Sequence, residues 1–370
     1  MTASAITIKG AWRDGDPPGR RQFVVVPGMA LERGGTLPEV QLAYETWGQL
    51  NAQRDNAVLV LHALSGDSHV TGDLEPGHPT AGWWRDVVGP GLGIDTDRWF
   101  VVCTNVLGGC QGSTGPSSRA PEGRPWGSRW PATTIRDQVA AEIPLANALG
   151  VQAWAAVVGG SMGGMRALEW ALCQPHRVRR MIVLAASAEA SADQVATCRV
   201  QIDAIRADPH WHNGDYYDTS NSPVTGMAIA RRIAHLTYRC AAEVDTRFGR
   251  AATAGGDPLA EGFAVESWLD HAATSLQSRF DAGSYVALTA AMNSHEIGRG
   301  RGGTASALRR MRARPTIVGV DSDRLYPLHQ QAELADLLGV ELQVIHSQRG
   351  HDGFLVETDQ VNAVLKAALD

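Results

Sequence analysis

Several things are scarce in this chain, and each scarcity excludes a class of protein. Charged residues make up 19% and aromatic residues 6%, against 44% hydrophobic residues; such a balance excludes intrinsic disorder. The formal net charge of −6 leaves no basic surplus for a general nucleic-acid or anionic-membrane binder. Lysine is nearly absent: Lys9 and Lys366 are the only two among 33 basic residues. That removes Schiff-base and phosphate-loop lysine chemistry. The five cysteines (Cys103, Cys110, Cys173, Cys198 and Cys240) are odd in number, with no C-x-x-C pair. They read as reduced thiols rather than a disulfide framework or a zinc site. No apolar run approaches the roughly 18 residues of a membrane span. The opening MTASAITIKGAWRDGD has no positive-then-apolar leader pattern, so the expected location is the cytoplasm.

What is present alternates. Phe23–Val26 and Val40–Tyr44, separated by glycine and proline turns, read as antiparallel edge strands. Asn56–Leu61 and Trp99–Val102 are apolar on both faces, as the middle of a helix-covered parallel sheet requires. A helix is expected over Thr134–Leu149, kinked or broken at Pro144. A strand over Ala153–Val158, a helix over Gly163–Cys173 and a strand over Met181–Ala185 follow. The rhythm returns late, with strands Thr316–Val320 and Leu342–Ile345 and helices Leu328–Leu338 and Phe354–Leu369. Strand–helix alternation predicts an α/β fold with a mostly parallel sheet. Between these stretches the strand signal vanishes. The expected organisation is a core from 1–186 and 303–370, carrying a 116-residue helical lid over 187–302.

The strongest local signal is Val157-Val158-Gly159-Gly160-Ser161-Met162-Gly163-Gly164, a G-x-S-x-G between an apolar strand and a helix. That context is the strand–turn–helix of a nucleophile elbow. Glycines flank the serine because the sharp turn brings backbone segments too close for a Cβ. An inert serine in a glycine-rich turn is the plainer alternative. A serine nucleophile needs a base and an orienting acid, which follow on this fold in the order Ser, Asp, His. His351 in GHDGF follows the last expected strand, and Asp323 in DSDRLYP follows the strand before it, with Asp321 as its rival. Both lie beyond strand carboxyl ends, where open α/β sheets place their sites. The loop His62-Ala63-Leu64-Ser65 follows the third strand, so backbone N–H groups of Leu64 and Met162 are the expected oxyanion donors. Losing one such donor costs about 3 kcal/mol in the barrier. His62 itself reads as a structural loop residue.

With these motifs in order, the sequence resembles a family. HALSGDSH, TNVLGGCQGSTGPSS, GGSMGGMRALEWA, ARRIAHLTYR, SRFDAGSY, DSDRLYP and GHDGFLVE are similar to segments of the homoserine O-acyltransferases, the acetyl-transferring members above all. The resemblance spans residues 44 to 357. It implies the α/β-hydrolase fold, with Ser161, Asp323 and His351 as catalytic triad. It also implies transfer of an acetyl group from acetyl-CoA, through an acyl-enzyme, to the hydroxyl of L-homoserine on the way to methionine. No tightly bound cofactor and no metal are implied, and a homodimer through the lid helices is. The family's amino-acid-binding arginine falls on Arg231 and its partner acid on Asp352. Homoserine is a zwitterion, so a guanidinium for its carboxylate and a carboxylate for its ammonium make chemical sense. Arg231, His235 and Tyr238 share one helix face, while Arg232 reads as a surface residue. A lid that narrows access disfavours water against a bound alcohol.

The alternatives are a succinyl donor or serine acceptor, a plain esterase, and a catalytically silent binding protein. Two further features invite readings. The arginines 299, 301, 309, 310, 312 and 314 form a run with no acid between 297 and 320; they are expected either at the pocket mouth for the CoA phosphates or as a solvated junction. His210-Trp211-His212 suggests a metal, but with no acidic or cysteine partner at ligand spacing it reads as a lid loop.

Overall fold

A computed structural model describes residues 10–370. Nine residues of the opening segment, Lys9 among them, lie outside the described part. In chain order the core begins with β1 (Gln22–Ala30), β2 (Thr36–Trp47), β3 (Ala57–Leu61), β4 (Val88–Gly89), β5 (Ile94–Asp95) and β6 (Phe100–Thr104). It continues with α1 (Ile135–Ala148), β7 (Ala156–Gly160), α2 (Met162–Cys173) and β8 (Arg180–Leu184). Helices then follow without a strand: α3 (Ala192–Arg206), α4 (Val224–Tyr238), α5 (Ala241–Phe248), α6 (Pro258–Glu261), α7 (Ala264–Gln277), α8 (Ala282–Asn293) and α9 (Thr304–Leu308). The chain closes with β9 (Arg314–Val320), α10 (Leu328–Leu338), β10 (Leu342–Ile345), α11 (Gly353–Val356) and α12 (Thr358–Leu369).

Eight strands make one sheet in the order β1-β2-β6-β3-β7-β8-β9-β10. The β1–β2 and β2–β6 pairs are antiparallel, and every pair from β6 to β10 is parallel. The strands β3 and β7 are buried along their whole length. Alternation decides which layer each residue joins. Leu59, Leu61, Val157 and Val183 pack with Val139, Leu168, Trp170 and Leu334 of α1, α2 and α10. Their neighbours Val58, Val60, Val158 and Ile182 pack with Val361 and Leu365 of α12 on the opposite face.

A third apolar layer joins the carboxyl end of the sheet to the inserted helices. It holds Leu64, Val106, Met162 and Met165 from the core, with Ile202, Met227, Tyr285 and Leu288 from above. Burying such side chains contributes about 1.5–3 kcal/mol each, which seats the helical segment on the sheet.

Two local expectations change. The helix α1 runs unbroken through Pro144, capped at Thr134 by a reciprocal pair of hydrogen bonds with Asp137. Packing of Val139, Leu145 and Ala146 into the core outweighs one missing backbone donor. The last helix instead divides at Glu357, whose ψ of 59° interrupts the helical path between α11 and α12. Among the described residues no helix is long and apolar enough to cross a membrane.

Candidate active site

The turn between β7 and α2 carries Ser161 with φ 56° and ψ −125°, a region that costs a non-glycine residue about 1–3 kcal/mol. The surroundings dictate this conformation. Ser161 donates its backbone N–H to Leu184 O at 2.9 Å and accepts from Met165 N–H at 3.1 Å. A Cβ on Gly159 would overlap the Gly163 backbone, and one on Gly163 would overlap the Leu61 carbonyl. Glycine is therefore required at both positions.

Beneath the elbow, α2 is anchored by a buried ionic network. Arg166 pairs with Glu142 and donates 2.9 Å to Thr104 Oγ1. The Thr104 hydroxyl and the Trp170 indole N–H each donate to Glu142 at 2.6 Å. Removing one partner of such a network strands a buried charge, at a cost of about 3–5 kcal/mol.

The loop after β9 presents Asp323 and the loop after β10 presents His351, both buried. His351 Nδ1 lies 2.6 Å from Asp323 Oδ2. The other oxygen, Oδ1, accepts the Leu325 and Tyr326 N–H groups at 2.8 and 2.9 Å. A carboxylate only accepts, so Nδ1 carries the proton and Nε2 is left as the basic nitrogen. Burial pulls the imidazolium pKa down, but the charge and hydrogen bond of Asp323 outweigh it and raise the value above the ordinary 6.5. The imidazole stacks on Tyr326 at 5.1 Å and meets the edge of Phe354 at 5.5 Å. Phe354 also abuts Gly160, beside the serine, so one ring packs near both Ser161 and His351. The rival acid Asp321 is engaged elsewhere, 2.9 Å from His346.

Leu64 and Met162 are both buried, in the same apolar cluster. Neither donates its N–H to a backbone acceptor among the described residues. His62 fixes their loop: Nδ1 donates to Ala63 O at 2.7 Å, and Nε2 accepts the Val106 N–H at 3.1 Å. Burial and the nearby Arg166 push its pKa down to about 3, so it stays neutral. From the lid side, Arg279 Nη1 donates 2.5 Å to Ser65 O.

The helix α4 brings Arg231 and Tyr238 over this floor. The Arg231 guanidinium carbon is 5.5 Å from the Tyr238 ring centroid. Its Nε and Nη1 are buried without a hydrogen-bond partner. Tyr238 in turn lies 5.8 Å from the His351 ring, and burial pushes its hydroxyl pKa up to about 12. Asp352, next to the base, is engaged by Arg239 Nε at 3.2 Å. Burial raises its carboxyl pKa against the opposing charges of Arg239, His351 and Arg231. Arg239 closes the ARRIAHLTYR segment, but nothing local in the sequence marks it as the partner of Asp352. Arg232 is a surface residue paired with Asp270 at 2.7 Å.

Three arginines of the basic run are engaged away from the serine. In the parallel register Arg314 pairs with Arg180 at the amino ends of β9 and β8, whereas Ser161 follows the carboxyl end of β7. Arg299 is tied to Glu32 and Arg301 to Glu169. Arg314 thus lies away from the serine while Arg299 and Arg301 are committed to ion pairs, which favours the solvated-junction reading for these three.

His210 lies 3.3 Å from the Asp208 carboxylate, an acidic partner that the spacing argument had missed. A different trio, Glu45, His69 and His78, is gathered and buried beside the sheet. Glu45 lies 3.0 Å from His69 Nδ1 and 3.4 Å from His78 Nε2. The two imidazoles are stacked, with centroids 3.9 Å apart and planes at 13°. An ion about 2.1 Å from one ring nitrogen and in that ring's plane lies well out of the plane of the other. The arrangement instead suits a shared charge. His69 loses to burial but gains more from Glu45, so its pKa rises. Burial and Arg21 push His78 down to about 3.

Comparison with known proteins agrees with this geometry. The alpha/beta hydrolase fold model matches residues 56–358. The homoserine O-acetyltransferase of Thermobifida fusca (strain YX) is 62% identical over 373 aligned residues, covering 100% of this chain and 98% of the relative. The crystal structure of homoserine O-acetyltransferase from Bacillus anthracis superposes with a TM-score of 0.87 at 27% identity, covering 95% of this chain and 97% of that one. Esterase E22 superposes with a TM-score of 0.85 at 25% identity, covering 95% and 99%. The esterase likeness reflects the shared fold, whereas the full-length identity to an acyltransferase is far higher. By its full-length identity and its fold, this chain belongs to the homoserine O-acetyltransferase family, acyltransferases built on the α/β-hydrolase fold.

Proposed function

We propose that the protein moves an acetyl group from acetyl-CoA to the hydroxyl of L-homoserine by a ping-pong mechanism. The carrying observation is the half-buried Arg231, whose Nε and Nη1 are shielded from solvent without a hydrogen-bond partner, above a His351–Asp323 pair. Leaving such donors unmet is costly, and a substrate carboxylate meets them bidentately. Asp352 is the complementary site for the ammonium group.

In the first half, Ser161 Oγ attacks the thioester carbonyl while His351 Nε2 takes its proton. The Leu64 and Met162 N–H groups stabilise the tetrahedral oxyanion. The C–S bond breaks, and the CoA thiolate leaves with the proton from His351. In the second half, His351 takes the homoserine hydroxyl proton, and that oxygen attacks the acetyl-serine ester. O-acetyl-L-homoserine departs, and Ser161 recovers its proton. The product supplies methionine biosynthesis. Neither half draws on a tightly bound cofactor or a metal.

The lid favours transfer over hydrolysis: Ser161 and His351 are 5% and 4% exposed, so bulk water has little access. Five free cysteines suit a reducing cytoplasm. Exposed Val200, Ile229 and Leu236 on α3 and α4 support a homodimer formed through the lid helices. The test is a matrix of acetyl- and succinyl-CoA against L-homoserine and L-serine, reading CoA release and ester product. Fast turnover is expected only for acetyl-CoA with homoserine. Faster succinyl transfer, or hydrolysis that no acceptor suppresses, overturns the assignment.

A further inference from the structure

The junction between lid and catalytic loop holds a chain of charges that the acyl-transfer steps do not use. Asp352 lies 3.2 Å from Arg239 Nε, and Arg239 Nη1 lies 3.9 Å from Glu243 Oε1. Glu243 also faces Arg349 at 3.2 Å and Arg247 at 3.7 Å. Arg239, Glu243 and Arg247 belong to the lid, while Arg349 and Asp352 flank His351 on the core loop. The backbones meet here as well. A Cβ on Gly350 would press on Tyr238 O at 2.6 Å, and the Cys240 thiol donates to Gln348 O at 3.0 Å.

Two details set this apart from an ordinary surface ion pair. Arg239 and Asp352 are 12% and 17% exposed and Glu243 only 8%, so solvent screens them weakly. Moreover, Arg239 Nε and Nη1 make no aligned hydrogen bond despite their proximity to the carboxylates. The guanidinium thus supplies charge to Asp352 without occupying its oxygen lone pairs. Asp352 does not cap its own helix either. A carboxyl this buried protonates unless a cation stands beside it. The groups facing it are Arg239, His351, Arg231 and Asp323. Of these, His351 changes charge during turnover and Arg231 is needed for the substrate carboxylate.

We propose that Arg239, held from behind by Glu243, is a positioning residue that keeps Asp352 ionised and aimed at the acceptor's ammonium group, so that it sets selectivity for an amino-acid alcohol. The inference rests on the homoserine reading above. Arg239 touches neither the acyl group nor the reacting oxygen. Its loss should therefore act on recognition of the amine and leave thioester chemistry alone.

The test compares L-homoserine with 4-hydroxybutyrate, which keeps the hydroxyl and carboxylate but lacks the ammonium. In the native enzyme kcat/KM should favour homoserine strongly. Arg239→Gln should raise the homoserine KM about tenfold or more with kcat little changed. The burst of CoA from acetyl-CoA without acceptor, and kcat/KM for 4-hydroxybutyrate, should hold within about twofold. Arg239→Lys should restore most of the selectivity, and Glu243→Gln should lose part of it. Should Arg239→Gln not fold, as judged by thermal unfolding, the Lys and Glu243 variants carry the same comparison. Equal losses on both acceptors, or unchanged selectivity, overturn the proposal. A native enzyme without preference for homoserine overturns the acceptor reading itself, and this inference with it.

Discussion

The two halves of the site are built on different principles. The proposed acyl half, comprising Ser161, His351 and Asp323, hangs on loops that leave β7, β9 and β10 at one end of a buried sheet. Its geometry comes from backbone hydrogen bonds and glycine contacts close in space, such as Ser161 N–H to Leu184 O at 2.9 Å. The proposed acceptor half, with Arg231, Tyr238 and Asp352, straddles the inserted helices and the core. Charges rather than ladders hold it together, as in the 3.2 Å approach of Arg239 to Asp352. A reacting centre tolerates little displacement, so it sits on the rigid layer. Recognition of a second substrate needs a surface that parts and closes, and ion pairs between two segments permit that.

This contrast can be broken in graded steps. Ser161→Ala should abolish acyl-enzyme formation, as judged by mass spectrometry after incubation with labelled acetyl-CoA; a label retained on the variant refutes the assignment. Asp323→Asn should cost about 10⁴-fold in kcat through the wrong His351 tautomer, measured as CoA release. A loss near tenfold would show that the acid is dispensable. Arg231→Gln should leave the CoA burst intact and raise the homoserine KM by about 10–100-fold, the worth of hydrogen bonds to a charged group. If the burst collapses too, the halves are not separable.

The smallest effect is in the pH profile. His351 must be neutral to act, and Asp323 raises its pKa, so the rate of acylation falls as pH drops through that raised value. In Asp323→Asn only the charge of Asp352 still opposes burial, and the acid limb should move to lower pH on a much lower plateau. An unmoved limb would assign it to another group.

Much of the acyl half was legible from the sequence because its rules are local. The elbow needs Gly159 and Gly163 beside Ser161, and Asp323 and His351 lie just past expected strands in the required order. Arg231 and Asp352 came from resemblance; spacing alone makes Arg231 a surface arginine. Arg239 was missed because nothing in TYRCAAEVDTRFGR says which arginine meets a carboxylate 113 residues further on. The basic run at 299–314 stayed open between two readings for the same reason: a charge run records what is nearby in sequence, not which end of a sheet it occupies. Glu45, His69 and His78 meet only because the loop from His62 to Trp84 folds back on β2.

The sequence by itself determined the alternation of strand and helix, the elbow and the placing of Asp323 and His351 beyond strand ends, since side-chain period, glycine backbone freedom and strand-end loops are properties of short segments. Only the tertiary structure decided which acid meets His351, which arginine nitrogens stay unpartnered, and that Ser161 is buried. Those outcomes depend on distances between segments far apart in the chain, where burial makes an unmet charge costly and a met one specific.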